Sequence, residues 1–238
     1  MIHNQGLREH SGRKSPACAK FFEDYAKAKQ PLSGQYIANI KDEQKAPNSG
    51  GPNSLFVSLF SDYSLLKRTG KHIKTGETKM PDSPFLDGSG KGDFKESLEK
   101  SILLKYNYVY DTGIKVVKSD YKDVKIEGYP KELVIQVSDF SPESKFPLNL
   151  ELDGKYFTEG KKANYECDFF VIYEQSQRQS HYTCARKVGN QWYLIDDRDV
   201  HPVNLEDIQP YFDGDKKNDQ NKKVYSVFGL NYKFVGNM

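Results

Sequence analysis

Residues 180–197, SHYTCARKVGNQWYLIDD, contain two runs of alternating polar and apolar residues joined by a turn at residues 188–190. Alternation with a period of two is typical of β-strands, so the segment is predicted to form an antiparallel hairpin. His181 stands at the start of the first run and Asp196 at the end of the second. In such a hairpin the first residue of one strand lies across from the last residue of the other, so the two side chains are predicted to be neighbours.

A histidine beside an aspartate supplies two members of a hydrolytic triad. The carboxylate fixes the tautomer of the imidazole and stabilises the imidazolium that forms when the ring takes up a proton. His181 is therefore predicted to be a general base that Asp196 orients. Asp197 is predicted either to orient Asp196 or to cap the following turn. The third member, a nucleophile, has to come from another part of the chain.

The composition bounds the class of protein. The 238 residues suffice for one large domain or two lobes, and the 14 Phe and 16 Tyr supply large apolar surfaces for a core. A balance of 35 basic and 33 acidic residues argues against a dedicated nucleic-acid-binding protein. No apolar run approaches the ~20 residues that span a bilayer. Residues 1–14 also lack the apolar stretch of a signal peptide, so no membrane contact is expected.

The cysteines and histidines predict neither a disulfide framework nor a metal site. Three cysteines, Cys18, Cys167 and Cys184, do not form an even set, which favours a reducing compartment. No CxxC pair and no HExxH motif is present, so a structural zinc site is not expected, and the family resemblance described below implies neither a metal nor a cofactor. Cys167 and Cys184 are predicted to pack as small apolar groups within strands.

The predicted elements come in the order helices first, strands afterwards. Helices are predicted over 16–29, with Ser15 as the N-cap, over 54–68, with an end at Thr69 and Gly70, and over 94–105, while 70–93 is predicted to be a long loop. Strands are predicted over 106–110, 113–117, 124–126, 132–137, 148–152, 165–174, 181–187, 191–196 and 225–234. This order predicts an α+β fold with a mostly antiparallel sheet.

Two positions are candidates for the nucleophile, because each stands at the predicted start of a helix. There the helix dipole and the free backbone N–H groups stabilise negative charge. Ser54 is the better placed, since the glycines before it allow a tight turn and a close approach of the backbone. Cys18 is the other candidate. An oxyanion hole at Ser54 would combine its backbone N–H with a side chain from Asn48, Ser49 or Asn53.

Together these segments resemble the ubiquitin-specific protease family of papain-like cysteine hydrolases. Residues 51–60, GPNSLFVSLF, are similar to the nucleophile box of that family, with Gly51 on the glycine of the box and Ser54 on its catalytic cysteine. Residues 180–182 and 192–197 resemble its His-Tyr and Trp-Tyr-x-Phe-Asp-Asp box. The resemblance covers about residues 46–66 and 129–234.

The chain departs from the family pattern at several positions. A serine replaces the family cysteine at position 54, Ser180 replaces the glycine before the histidine, and Ser49 stands where the oxyanion-hole asparagine is expected. Residues 67–128 are far shorter than the corresponding family region and lack its zinc-binding CxxC pairs. The chain therefore resembles a compact, fingerless form of the family, similar to deubiquitinases of some intracellular bacteria.

The resemblance implies a papain-like fold in a single catalytic domain over 1–238. A helical, thumb-like lobe at 1–105 would be followed by a β-rich, palm-like lobe at 106–238, with the active site in the cleft between them. Ser54, His181 and Asp196 would be catalytic, with Asp197 in support. Substrate would be held by Gly51, Tyr182 and Trp192. The implied activity is cleavage after the C-terminal glycine of ubiquitin or a ubiquitin-like protein, by a monomer.

Several interpretations of Ser54 stay open, because a serine beside histidine is a much poorer nucleophile than a thiolate. Ser54 can be a cysteine-to-serine replacement that inactivates an enzyme, the mark of a natural pseudoenzyme that binds ubiquitin, or a true serine nucleophile. Cys18 can also take that role. A papain-like peptidase with another peptide substrate is a further alternative. The expected location is the cytoplasm, or a host cytosol for a bacterial effector.

Overall fold

The structure is a computed structural model that describes residues 12–13, 15–27, 39–40, 66–78, 85–109, 113–116, 119–138, 143–175, 180–196, 199–214, 217–218 and 223–237. The helices bounded within this part are α1 (Pro16–Lys27), α2 (Phe94–Ile102) and α3 (Leu205–Phe212), with a 3-10 turn at Gly154–Tyr156. The strands are β1 (Arg68–His72), β2 (Leu86–Ser89), β3 (Tyr106–Val109), β4 (Gly113–Val116), β5 (Tyr121–Ile126), β6 (Glu132–Ser138), β7 (Asn149–Leu152), β8 (Ala163–Gln175), β9 (Ser180–Val188), β10 (Gln191–Asp196), β11 (Asp199–Val203), β12 (Lys217–Asn218) and β13 (Lys223–Asn237).

The contacts between residues divide the chain into two compact units. The first comprises Met1–Leu65 with Asp82–Pro84, and the second Leu66–Pro81 with Phe85–Met238. Helix α2 belongs to the second unit, where it packs on strand β2. The lobes at 1–105 and 106–238 stay a prediction. The single catalytic domain over 1–238 stays a prediction.

Helix α1 in the first unit begins as its sequence predicts. The Ser15 hydroxyl accepts a hydrogen bond of 3.0 Å from the backbone N–H of Cys18, which satisfies one of the free donors of the first turn. Pro16 is the first helical residue, a position where its missing N–H costs nothing. Ion pairs four residues apart, Lys20 with Asp24 and Lys27 with Glu23, lie along the helix surface. The predicted helix and its cap are confirmed as far as Lys27.

The second unit is built on a nine-stranded mixed sheet. Its main path runs β11-β10-β9-β8-β13-β6-β2, with β12 on β13 and β7 on β8. Strand β2 pairs parallel to β6, and the other pairs of this sheet are antiparallel. The long strands β8 and β13 pair along their whole length, so β7 and β9 share the other edge of β8. The predicted α+β class with a mostly antiparallel sheet is confirmed for the described residues.

Two helices bury their apolar faces in the core of the second unit. In α2 the buried side chains include Phe94, Leu98 and Ile102, the positions that the helical spacing predicts. In α3 the core residues are Ile208 and Phe212. These residues join one hydrophobic cluster with the central strands of the sheet.

The segment that follows residue 65 differs from its prediction. A helix was expected to end at Thr69 and Gly70, yet both residues lie in β1, where Thr69 pairs with Lys125 of β5. The predicted loop over 70–93 contains strand β2. Gly88 in this strand allows helix α2 to pack closely on it, because a β-carbon at this position would lie 2.6 Å from a ring carbon of Phe94. Residues 54–65 of the predicted helix lie outside the described residues.

Three further elements were not predicted: strands β11 and β12 and helix α3. Strand β11 is exposed along most of its length, so no alternation of polar and apolar residues marks it. Helix α3 is short and contains Pro210. The predicted strands are all present, with ends that differ by a few residues.

Asp87 of β2 makes the stability of the fold depend on pH. Burial raises the pKa of its carboxyl group from 3.8 to about 6, although Arg68 lowers it in part. The folded protein therefore binds this proton more tightly than the unfolded chain. The resulting stabilisation is full below about pH 4 and is lost as the pH rises through about 6.

We expect Asp87→Asn to flatten this part of the pH dependence. Between pH 4 and pH 7.5, the free energy of unfolding of the unaltered protein should fall by about 2–3 kcal/mol more than that of Asp87→Asn. Urea unfolding at several pH values measures the difference, with exposed Glu127→Gln as the control. Parallel curves for Asp87→Asn and the unaltered protein would contradict the prediction.

Candidate functional site

The hairpin that carries His181 and Asp196 is formed by β9 and β10. Its pairs run from Val188 with Gln191 to Cys184 with Ile195. Continued by one pair, this register sets Asp196 across from Thr183, on the same face of the sheet as His181. The two residues are therefore diagonal neighbours. The sequence led us to expect them directly opposite each other, and the observed register differs from that expectation by two residues.

His181 and Asp196 are in contact across this diagonal. Nε2 of His181 lies 2.5 Å from Oδ1 of Asp196. The side chains of His181 and Asp196 are 37% and 50% exposed, so the pair is open to a reacting molecule. With Nε2 at the carboxylate, Nδ1 is the nitrogen that would take a proton from a nucleophile. The predicted proximity of the two side chains is confirmed, and the geometry suits a general base.

The pair stands at one end of a sheet face that has an apolar centre. Along that face Ile172, Ala185 and Trp192 are buried, and Phe170 packs against Trp192 with ring centroids 5.8 Å apart. Helix α3 covers this region through Phe212, whose ring lies 4.7 Å from that of Phe170. Core packing therefore holds the hairpin near its turn. This packing keeps the backbone in place at the opposite end, where His181 and Asp196 lie.

The residues Tyr182 and Trp192, predicted to bind substrate, lie in different surroundings. Tyr182 is 36% exposed and contacts Tyr173 and Phe228 at centroid distances of 5.0 and 5.4 Å. Trp192 is 5% exposed and belongs to the core. It stands four residues from Asp196, about 13 Å along the strand. Substrate binding by either residue stays a prediction.

A cavity of about 290 Å³ lies beside the edge of β8, near the point where the pairing of β8 with β7 ends and its pairing with β9 begins. Trp192 and Leu205 line it, together with Lys187 and Glu166, which form an ion pair of 2.5 Å. Lys187 lies six residues from His181 on β9, which is about 20 Å in an extended chain. This cavity is therefore separate from the His–Asp pair.

The other residues of the predicted site lie outside the described residues. These are the nucleophile candidate Ser54, the oxyanion-hole candidates Asn48, Ser49 and Asn53, the substrate-binding candidate Gly51 and the supporting residue Asp197. Their roles stay predictions.

The cysteines are free thiols in the structure. Cys167 is buried, and Cys184 of β9 is half-buried. Burial raises the pKa of both thiols, so they are protonated at neutral pH and are poor nucleophiles. Cys18 is 3% exposed, which argues for a structural role. The packing of Cys167 as a small apolar group is confirmed.

Within the described residues, no group of three or more His, Cys, Asp or Glu side chains could hold a metal ion. None of the helices in that part of the chain is long and apolar enough to cross a membrane.

Glu174 is a charged neighbour of His181 that the sequence did not reveal. It lies directly across from His181 in the pairing of β8 with β9. No local spacing marks it, because residues on different strands meet only through the sheet register.

Comparison with known proteins gives structural neighbours only: no family model and no curated protein matches the chain. A chain in the structure of the yeast SAGA DUB module with a mutant Sgf73 has 15% sequence identity to this chain and a TM-score of 0.48. The match covers 93% of this chain and 49% of that one. The Ubp8-Sgf11-Sgf73-Sus1 SAGA DUB module is 15% identical, with a TM-score of 0.47 over 100% and 64%. A SAGA DUB module bound to monoubiquitin is 15% identical, with a TM-score of 0.45 over 93% and 49%. The chain spans about half to two thirds of the length of these solved structures.

Proposed function

We propose that the chain is a thiol hydrolase of the deubiquitinase type, built as a single papain-like domain and carrying a serine at the position of the nucleophile. The observation that carries the proposal is the contact between His181 and Asp196 at the open end of the β9–β10 hairpin. The second support for the proposal is the resemblance of residues 51–60 and 180–197 to the two catalytic boxes of the ubiquitin-specific protease family. The proposed substrate is a conjugate of ubiquitin or a ubiquitin-like protein.

In the proposed reaction a cysteine at position 54 loses its proton to His181. The thiolate attacks the carbonyl carbon of the C-terminal glycine, and backbone and side-chain donors near Ser54 stabilise the oxyanion. His181 then donates its proton to the leaving amine, and the acyl-enzyme forms. Water, deprotonated by His181, attacks the thioester and releases the carboxylate product. Asp196 keeps the imidazole oriented throughout.

The serine in the present chain defines a second candidate function. A serine hydroxyl beside histidine is almost wholly protonated, so acylation would be slow or absent. This observation favours a pseudoenzyme that binds ubiquitin without cleaving it. The two candidates differ in whether chemistry returns when a thiol stands at position 54.

The test introduces that thiol. We expect the Ser54→Cys protein to form a covalent adduct with ubiquitin that carries a C-terminal electrophile, seen as a mass increase of the intact protein. The unaltered chain provides the baseline. Cys18→Ala in the Ser54→Cys background should leave the adduct intact, because Cys18 is buried and its proposed role is structural.

The outcomes separate the candidates. An adduct that needs Cys at position 54 and His181 supports the hydrolase. No adduct, with binding of unmodified ubiquitin retained, supports the pseudoenzyme. Loss of both adduct and binding contradicts the ubiquitin proposal, and reaction with an unrelated peptide electrophile would then indicate another papain-like peptidase.

A further inference from the structure

His181 stands between two acidic residues of neighbouring strands. Asp196 of β10 contacts its Nε2 atom. On the other side, Glu174 of β8 is the direct cross-strand partner of His181. Opposed residues of an antiparallel pair point to the same face, with β-carbons about 4.5–5.5 Å apart. The carboxylate of Glu174 can therefore lie beside the ring without any change in the backbone.

The structure also restricts where this carboxylate can lie. Tyr225 of β13 is the partner of Glu174 on its other side. Tyr211 of α3 stands over the same face, with its ring 5.8 Å from that of Tyr225. Burial raises the pKa of the Tyr211 hydroxyl to about 12, with smaller contributions from Tyr225 and Glu174. Glu174 thus stands between a tyrosine pair and His181, half-buried at the sheet surface.

We propose that Glu174 is a positioning residue that, together with Asp196, favours the imidazolium form of His181 after the ring has taken up a proton. A nearby negative charge favours the charged form of an imidazole. Asp196 contacts His181, Tyr225 pairs with Glu174 across the sheet, and Tyr211 lies near enough to Glu174 to feel its charge. In a Ser54→Cys enzyme a protonated His181 would stabilise the thiolate, so Glu174 would extend the pH range of the reactive ion pair. This role in catalysis rests on the proposed function, whereas the effect on His181 does not.

The direct test is an NMR titration of His181 in the full, unaltered chain. The imidazole signals are followed with pH, and the His181 signal is identified by its loss in His181→Ala. We expect Glu174→Gln to lower the pKa of His181 by about 0.5 to 1. Glu174→Asp should restore most of the effect, since it returns the charge.

The matched control is Glu166→Gln, which removes the same charge from the same strand. Glu166 lies eight residues from Glu174, about 25 Å along β8 and beyond a Debye length at ordinary ionic strength. We expect it to leave the pKa of His181 unchanged. An unchanged pKa in Glu174→Gln, or equal shifts in Glu174→Gln and Glu166→Gln, would overturn the proposal.

A second measurement connects the residue to catalysis. In the Ser54→Cys background, the alkaline limb of the pH profile of kcat/KM should move to lower pH in Glu174→Gln by the same amount as the pKa of His181. An unmoved limb in an active enzyme would overturn the catalytic part. If Ser54→Cys lacks activity altogether while the titration shift is present, the proposed function fails and the effect of Glu174 on His181 stands.

Discussion

Replacing His181 by alanine in the Ser54→Cys protein is expected to lower kcat/KM by about 10³–10⁵-fold. The imidazole is the group proposed to take the proton of the nucleophile and to return it to the leaving group, and loss of a triad member leaves only the contribution of binding and the oxyanion hole. The measurement uses ubiquitin with a fluorogenic amide at its C-terminus. The affinity for unmodified ubiquitin should change little, because His181 contributes to the reaction and not to the recognition of the folded part of the substrate.

Asp196→Asn gives the graded control for this experiment. The amide retains the size of the carboxylate but loses the charge that stabilises the imidazolium next to it. We expect a loss of about 10²–10⁴-fold in kcat, mainly at the chemical step. Activity that survives both His181→Ala and Asp196→Asn would exclude the pair from catalysis and would leave the hairpin with a structural role.

Replacing Phe170 by alanine is expected to destabilise the protein by about 3–5 kcal/mol. Phe170 is fully buried on β8, and its ring contacts those of Trp192, Tyr211 and Phe212. Truncation removes a large apolar surface and leaves a cavity between the sheet and α3. Chemical unfolding followed by circular dichroism measures the loss of free energy.

The control for Phe170 is Val235→Ala on β13. Val235 is 59% exposed, so its truncation should change the free energy of unfolding by less than about 0.5 kcal/mol. If Phe170→Ala lowers the free energy of unfolding as little as Val235→Ala does, the packing of α3 on the sheet contributes little to stability. Because Phe170 lies on the His181 face of the sheet, we also expect a lower melting temperature and lower activity together in the Ser54→Cys background.

The sequence predicted those parts of the fold that depend on local pattern. Helix α1 is marked by Ser15 and Pro16 at its start, and α2 by apolar residues at helical spacing. The β9–β10 hairpin is marked by alternation on both sides of a short turn. Such features are encoded within a few residues, so they can be recognised without knowledge of the rest of the chain.

Elements that depend on a distant partner were missed or wrongly assigned. Strand β1 begins where a helix was expected to end, because Arg68 and Thr69 find their hydrogen-bonding partners in β5. Strand β2 contains a glycine and lacks alternation, and it is defined by its parallel pairing with β6. Helix α3 has a recognisable signal in Asn204, which forms a capping box with Asp207. Pro210 lies inside the helix, and a proline there weakens the helical signal of the sequence.

The candidate site shows the same division. From the sequence alone, a histidine and an aspartate at the end of one hairpin are determined to be close, since a short turn leaves few registers. Only the tertiary structure decided that the contact is diagonal and that Glu174 faces His181 from β8. The physical reason is that a hairpin is defined by its own turn, whereas the neighbour on the other side of a strand is chosen by backbone hydrogen bonds and core packing over the whole sheet.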